Sequence, residues 1–264
     1  VSRAHGFDVY EERRINGYMP LKRQFAKYFD SIFVLSESAK TYMHETYGIP
    51  LNLLHVSRLG VPLPEKIALP SKSGRLNIIS VSSCVSVKRI DKIIEAIAKL
   101  ADSNPYIHIN WEHIGDGPLF KKLDGLAHLE LFPKKNVSFR FHGLISNSAV
   151  KSFYSKNQID VFINTSESEG IPVSIMEAMA AGVLPIAPNV GGVSDLVSNE
   201  FGILLSDNPT IDEIASAFGD MVIKSKKSEM RVLARAKIEC DFNSDKNYPV
   251  FINELYSLAK GCPF

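Results

Sequence analysis

Short apolar runs alternate with amphipathic helical stretches along almost the whole chain, and this alternation restricts the fold more than any other feature. Residues 31–35 (S-I-F-V-L) and 53–57 (L-L-H-V-S) read as buried strands. The helix between them has Ser36 and Ser38 available as N-caps and Gly48 as its stop. Further strands are expected at 76–82, 106–114, 137–141, 159–163 and 183–187. Helices fall between them near 89–101, 118–129, 147–156 and 172–181. In the first of these helices, Ile90, Ile93, Ile94, Ile97 and Leu100 recur at helical spacing. Additional helices are expected near 18–29, 210–225, 227–237 and 247–260. Strands alternating with helices imply a parallel sheet with right-handed crossovers, which binds its ligand at the carboxyl ends of the strands.

One stretch breaks the pattern. Residues 60–75, opening G-V-P-L-P-E-K-I-A-L-P, carry three prolines and two glycines with little periodicity, as a linker does. The chain therefore divides into a first unit over 1–62, a linker over 63–75, a second unit over 76–246 and a closing helical segment over 247–264. It opens V-S-R-A-H-G, without Met and inside a folded-looking segment, so it reads as a fragment that lacks most of its first unit. Formal net charge is +1 and no basic run is long, which argues against nucleic acid as partner. Cys84, Cys240 and Cys262 lie far apart, with neither zinc-ligand nor disulfide-framework spacing, as suits a reducing cytoplasm. No apolar run reaches the ~20 residues of a membrane span. Residues 18–29 mix Lys22, Arg23 and Lys27 with aromatics, a composition that fits either an ordinary surface helix or peripheral association with a membrane face.

The stretch richest in chemistry is 159–182, I-D-V-F-I-N-T-S-E-S-E-G-I-P-V-S-I-M-E-A-M-A-A-G. A buried strand ends at Asn164, a polar turn follows, and Pro172 and Gly182 bracket a nearly apolar helix. Glu177 lies inside that helix, where an unpaired charge is costly, so it requires a partner. Glu169 stands in the turn before it. Free amides at Gly170, Ile171 and Val173 mark the positive end of the helix dipole, which suits a phosphate or a polar sugar; Pro172 has no N–H to give.

The run E-G-I-P-V-S-I-M-E, set in S-E-G-I-P-V-S-I-M-E-A-M-A-A-G-V-L-P-I-A, resembles the E-x7-E signature of retaining glycosyltransferases of the GT-B fold (glycosyltransferase family 4, "glycosyl transferases group 1"). The likeness extends over roughly 30–60 and 76–205. It implies two Rossmann-like α/β domains, each a parallel sheet with helices on both faces, the second complete here and the first truncated. It implies a nucleotide-sugar donor, UDP- or GDP-linked, with no further cofactor and no metal. The sequence has no D-x-D motif of metal-dependent transferases. The implied acceptor is a carbohydrate or lipid-linked carbohydrate, and the implied setting is the cytoplasm or the inner membrane face.

The resemblance also assigns roles. Glu169 would face the transferred sugar, and Glu177 would hold the ribose hydroxyls. V-S-S-C-V-S-V-K-R-I-D resembles the family's R-x4-K–G–x–D segment, which makes Lys88 the cation for the leaving diphosphate and matches Asp91. Two positions depart: Ser83 stands in place of the usual Arg, and Arg89 in place of the usual Gly, so Arg89 is the candidate to replace the missing cation. Main-chain groups at Leu144 and Ile145 would meet the base. G-D-G-P at 115–118 and N-V-G-G-V-S-D-L-V at 189–197 resemble the family's glycine turns, with Asp195 where Glu is common. H-G-F-D at 5–8 resembles a segment late in the family's first domain and would put His5 at the cleft. Two other readings stay open: a sugar-nucleotide epimerase of the same architecture, and a non-catalytic nucleotide-binding domain. A dehydrogenase would need G-x-G-x-x-G after strand 76–82, and the segment lacks it. The isolated chain is expected to bind nucleotide weakly and to transfer little.

Overall fold

The computed structural model describes residues 1–17, 19 and 22–260. In chain order its elements are β1 (Ser2–Arg3), α1 (Gly6–Val9), α2 (Lys22–Phe25), β2 (Ile32–Val34), α3 (Glu37–Tyr47), β3 (Leu54–Val56), β4 (Arg75–Val81), α4 (Ile90–Ser103), β5 (His108–Ile114), α5 (Phe120–Leu131), β6 (Val137–Phe141), α6 (Asn147–Lys156), β7 (Val161–Ile163), α7 (Val173–Ala180), β8 (Leu184–Pro188), β9 (Ile203–Leu205), α8 (Ile211–Lys224), α9 (Ser228–Asp241) and α10 (Ser244–Ala259). Several termini follow from capping chemistry. Ser36 accepts the Ala39 amide at 3.1 Å at the start of α3, and Gly48 closes that helix with φ of 68°. Ser146 starts α6 in the same way, accepting from Ala149.

Two parallel sheets result. The small one runs β1-β2-β3, and the large one β6-β5-β4-β7-β8-β9. In the large sheet successive strands are added outward in one direction from β4, and then in the other direction from β7. The chain therefore reverses between β4 and β7, the place in an open parallel sheet where ligands bind beyond the carboxyl ends of the strands. Both faces are covered. Ile93, Ile94 and Ile97 of α4 and Ile175, Met176 and Met179 of α7 are all buried in one core that includes Trp111 and Phe162.

Three expectations are modified. The helix expected over 18–29 is two short turns, α2 and a 3₁₀ turn at Ala26–Tyr28; residues 18, 20 and 21 lie outside the described residues. A sixth strand, β9, pairs with β8 after the 189–197 loop, and β1 pairs with β2; neither was foreseen. The irregular stretch 60–75 is not slack. The Ala68 amide donates to Ala181, Arg235 donates to the carbonyls of Pro64 and Ala180, and Arg231 donates to those of Ala68 and Ile159. At its end Ser71 donates through N and Oγ to the buried Asp160, at 2.9 and 2.6 Å. The prolines forbid a strand here, but the carbonyls they leave free are gathered by two arginines of α9.

The closing helix α10 reaches the small sheet. Phe251 packs edge-on against Phe33 of β2 at 5.1 Å between ring centroids, with the Arg3 guanidinium 4.2 Å from its centroid. Among the described residues no helix is long and apolar enough to cross a membrane.

Candidate active site at the strand reversal

The loop leaving β4 and the loop leaving β7 face each other across the reversal and are bound together. The Glu167 amide donates to the Val87 carbonyl at 2.9 Å, and the Thr165 hydroxyl lies 2.9 Å from the carbonyls of both Lys88 and Arg89. This brings Lys88 to Glu169: Nζ and Oε1 are 2.6 Å apart. Asn164, the last residue before the polar turn, donates through Nδ2 to the same oxygen at 3.0 Å while its side-chain Oδ1 accepts from the Ser166 amide. Glu169 is buried at 6 % exposure. Burial pushes its carboxyl pKa up, but the nearby Lys88 charge and the hydrogen bonds it receives outweigh that, and the net shift is down. The site therefore holds a buried, fixed carboxylate.

Beyond Glu169 the chain enters α7. Pro172 is its N-cap rather than its first residue. Among the described residues the amides of Gly170, Ile171 and Val173 have no acceptor, so the positive end of the helix stays open for one. The glycine loop 189–193 supports this turn from behind, with the Gly192 amide donating to Gly170 O at 2.7 Å. Glu177, one helical turn into α7, is half-buried, and Asn147 at the start of α6 donates to it at 2.8 Å. Its single partner is a neutral amide that leaves the second carboxylate oxygen unused among the described residues.

The other expected residues divide. Arg89 sits beside Lys88 with φ of 46°, a left-handed conformation that explains why Gly suits the position. Its guanidinium pairs with Glu167 at 2.8 Å and Asp91 at 3.2 Å. Ser83 is exposed on the same loop. Leu144 is 82 % exposed beyond β6, while Ile145 packs on the core. The exposed His5 precedes Gly6, and Gly6 packs directly against Gly170: a side chain on either would meet the other's backbone. Asp195 bridges the two sheets by accepting the Glu37 amide at 2.9 Å at the start of α3. Outside the expected set, His142 pairs with Glu112 at 2.6 Å.

Sequence reasoning missed Asn164 and Asn147, the residues that orient the two glutamates. An asparagine just past a buried strand, five residues before a turn glutamate, was the available signal for the first. It also missed the buried chain Trp111–Ser80–His113–Cys84. Trp111 Nε1 donates to Ser80 Oγ at 3.0 Å, Ser80 Oγ lies 2.8 Å from His113 Nδ1, and His113 Nε2 lies 3.3 Å from Cys84 Sγ. Cys84 begins the loop that carries Lys88. Burial pushes its thiol up to about 11, which makes it a packing group rather than a nucleophile.

Two parallel sheets, the larger of reversed strand order, with a fixed carboxylate, a cation and an open helix start at the reversal, make up the architecture of GT-B glycosyltransferases. Residues 64–237 match the family described as "Glycosyl transferases group 1", and the chain belongs to that family. It is 28 % identical over 267 residues to a putative colanic acid biosynthesis glycosyltransferase, WcaL, of Escherichia coli, covering 97 % of this chain and 63 % of that protein. It is 30 % identical over 208 residues to a putative teichuronic acid biosynthesis glycosyltransferase, TuaC, of Bacillus subtilis, covering 77 % of this chain and 45 % of the relative. The chain thus spans less than two thirds of these relatives. Its fold is similar to that of Anabaena Alr3699/HepE crystallised with UDP and glucose, with a TM-score of 0.75 at 17 % identity over 97 % of this chain and 71 % of that one.

Proposed function

We propose that this chain carries the donor site of a retaining glycosyltransferase that moves a sugar from a nucleoside diphosphate to a hydroxyl of a carbohydrate or lipid-linked carbohydrate, in polysaccharide or glycolipid synthesis. The observation that carries the reading is the buried, charged Glu169, held by Lys88 and Asn164 beside the unpaired amides that open α7. Two relatives named for bacterial polysaccharide synthesis, and a similar fold crystallised with UDP and glucose, support the donor class and the setting.

The diphosphate lies at the start of α7, where the amides of Gly170, Ile171 and Val173, the helix dipole and Lys88 offset its charge. Arg89 is the candidate to replace the arginine absent at Ser83, and it reaches the diphosphate only by exchanging its contacts to Glu167 and Asp91. Glu177 binds the ribose hydroxyls with its free oxygen, and the base lies by Leu144 and Ile145. Glu169 accepts hydroxyls of the sugar and stabilises positive charge developing on its ring; His5 borders the sugar from the first unit. The acceptor oxygen forms the new bond to the anomeric carbon on the face that the diphosphate leaves. The old bond to the phosphate oxygen breaks, and the proton passes to the departing phosphate, so configuration is retained.

A thermal-shift panel of UDP-, GDP-, ADP- and dTDP-sugars on the full-length protein tests the donor class, because a ligand bound only by the folded state raises its melting point. One base should stand out by several degrees. No shift with any of them rejects the reading. Anomeric analysis of the product tests retention.

A further inference from the structure

We infer that Arg13, from the first unit, binds an oxyanion in the cleft beside Glu169, a role that extends the donor-site reading above and rests on it. Most cations at the site already have a carboxylate partner. Lys88 is bound to Glu169 at 2.6 Å, and Arg89 is held between Glu167 and Asp91. The neighbouring Arg14 reaches Asp8 at 3.5 Å. The half-buried Arg13 side chain has no hydrogen-bond or ion-pair partner among the described residues. A guanidinium offers five donors in a fixed fork, and with none of the described protein groups engaging them the Arg13 donors are available to a ligand in the cleft.

Its position says where that ligand lies. Arg13 Nη1 sits at the junction of Gly6 and Gly170, 3.7 Å from where a side chain on Gly170 would begin, and a side chain on Gly6 would collide with it. Gly170 directly follows Glu169 and supplies one of the open amides at the start of α7. The two glycines therefore leave space through which a guanidinium from one unit reaches the helix start of the other. A planar fork beside exposed amides recognises a phosphate or carboxylate in two-pronged fashion. Two sources share that chemistry: the diphosphate of the donor, and a phosphate or carboxylate on the acceptor.

The experiment compares wild type, Arg13→Gln and Arg13→Lys in the full-length protein. Calorimetric titrations use UDP, GDP, UMP and GMP, and then glycerol 3-phosphate and methyl glucuronide in the presence of the nucleoside diphosphate that binds. If the donor supplies the oxyanion, R13Q weakens nucleoside diphosphate binding tenfold or more and monophosphate binding less than threefold. If the acceptor supplies it, nucleotide affinities hold and the two acceptor probes lose tenfold. R13K, which keeps charge and loses the fork, should fall between, and it serves as the test if R13Q does not fold. Unchanged affinities for every probe in both variants overturn the inference. Failure of wild type to bind any nucleotide rejects the donor-site reading instead, and the two anionic acceptor probes, titrated alone, then decide Arg13 separately.

Discussion

Lys88 Nζ and Glu169 Oε1 lie 2.6 Å apart, one on the loop after β4 and the other on the loop after β7, so a half-buried ion pair spans the point where the sheet reverses. The pair is lopsided: side-chain exposure is 22 % for Lys88 and 8 % for Glu169.

That asymmetry sets the two single substitutions apart. Lys88→Ala strands a carboxylate in a dry site, and breaking a buried pair in this way costs about 3 kcal/mol. Glu169→Gln leaves an amide that still meets Asn164, and it leaves a lysine that can turn to water, at about 1 kcal/mol. The pH dependence follows. In wild type the Glu169 carboxyl is held below its ordinary value, so its contribution is present at neutral pH and lost as pH falls through the depressed value. In Lys88→Ala burial dominates and raises it, so the folded state gains by taking up a proton. Urea unfolding at pH 7 and pH 5 should show the Lys88→Ala deficit narrowing toward acid; a deficit that widens contradicts this account.

Glu177 predicts a different outcome from Glu169. It is half-buried, and Asn147 is its hydrogen-bond partner, so Glu177→Ala strands no charge and should shift the melting point by no more than a degree or two. If it holds ribose hydroxyls, the loss of two charge-assisted hydrogen bonds weakens donor binding by about 2 kcal/mol, roughly thirtyfold. Glu169→Gln should instead reduce turnover at least ~100-fold, as removal of one preorganised charge-stabilising group does. Steady-state kinetics of the full-length protein separate the two: Glu177→Ala raises the donor KM and Glu169→Gln lowers kcat. The same signature from both would place them in one role.

His113 carries an acid-sensitivity prediction. Its ring is fully buried between Ser80 and Cys84, and burial lowers its pKa to about 4. The unfolded chain protonates this ring near 6.5, so between 6.5 and 4 the unfolded state binds more protons and stability rises with pH. The loss on going from pH 7 to below 4 amounts to roughly 3 kcal/mol at 1.36 kcal/mol per pH unit. His113→Gln should remove this part of the acid sensitivity while lowering stability at pH 7. If wild type and variant show parallel slopes of unfolding free energy between pH 4 and 6.5, the ring is not neutral in the fold. NMR titration of the His113 ring in wild type gives the answer independently of the variant.

The legible parts of this molecule are those set by local chemistry. Strand β6 and helix α6 begin and end where the periodicity put them, because Ser146 caps and alternating apolar residues are local signals. Glu169 and Glu177 were visible because an acidic residue in an apolar helix, or beside a proline-led helix start, has no role in packing, and Lys88 because a cation stands just before a helix at the carboxyl end of a strand. Their partners were not visible. Asn164 and Asn147 are ordinary residues whose importance comes only from what the fold sets opposite them, 5 and 30 residues away. The buried Asp160, which accepts from Ser71 and from the Asn77 amide at 2.8 Å and pairs with Lys226 at 2.6 Å, read as one more polar residue at a strand end. Nor could periodicity reveal that stretch 60–75 is pinned, since α9 supplies its donors from more than 150 residues away. Strand β9 is three residues long, too short for alternation to distinguish it from loop.

Gly191 joins turn geometry to activity. It has φ of 55°, a conformation that costs a residue with a side chain about 1 kcal/mol. A methyl group there would also collide with the Glu169 carbonyl oxygen, which belongs to the backbone and cannot rotate aside. Gly191→Ala must therefore push back either the 189–193 loop or the Glu169 turn. The turn is anchored through Glu169 to Lys88 and Asn164, and the loop through the Gly192 amide to Gly170, so displacing either disturbs the amides at the start of α7. The expected result is a modest stability loss of about 1–3 kcal/mol from the added volume together with a fall in kcat of about 100-fold. Gly192→Ala provides the comparison: its methyl would meet Gly170 O and the flexible Ile171 side chain, without a positive φ. Its stability cost should be smaller, but because its amide holds Gly170 its activity should also drop. Full activity in Gly191→Ala, with the melting point reduced, would mean that the Glu169 turn tolerates movement and that its fixed position does not limit transfer.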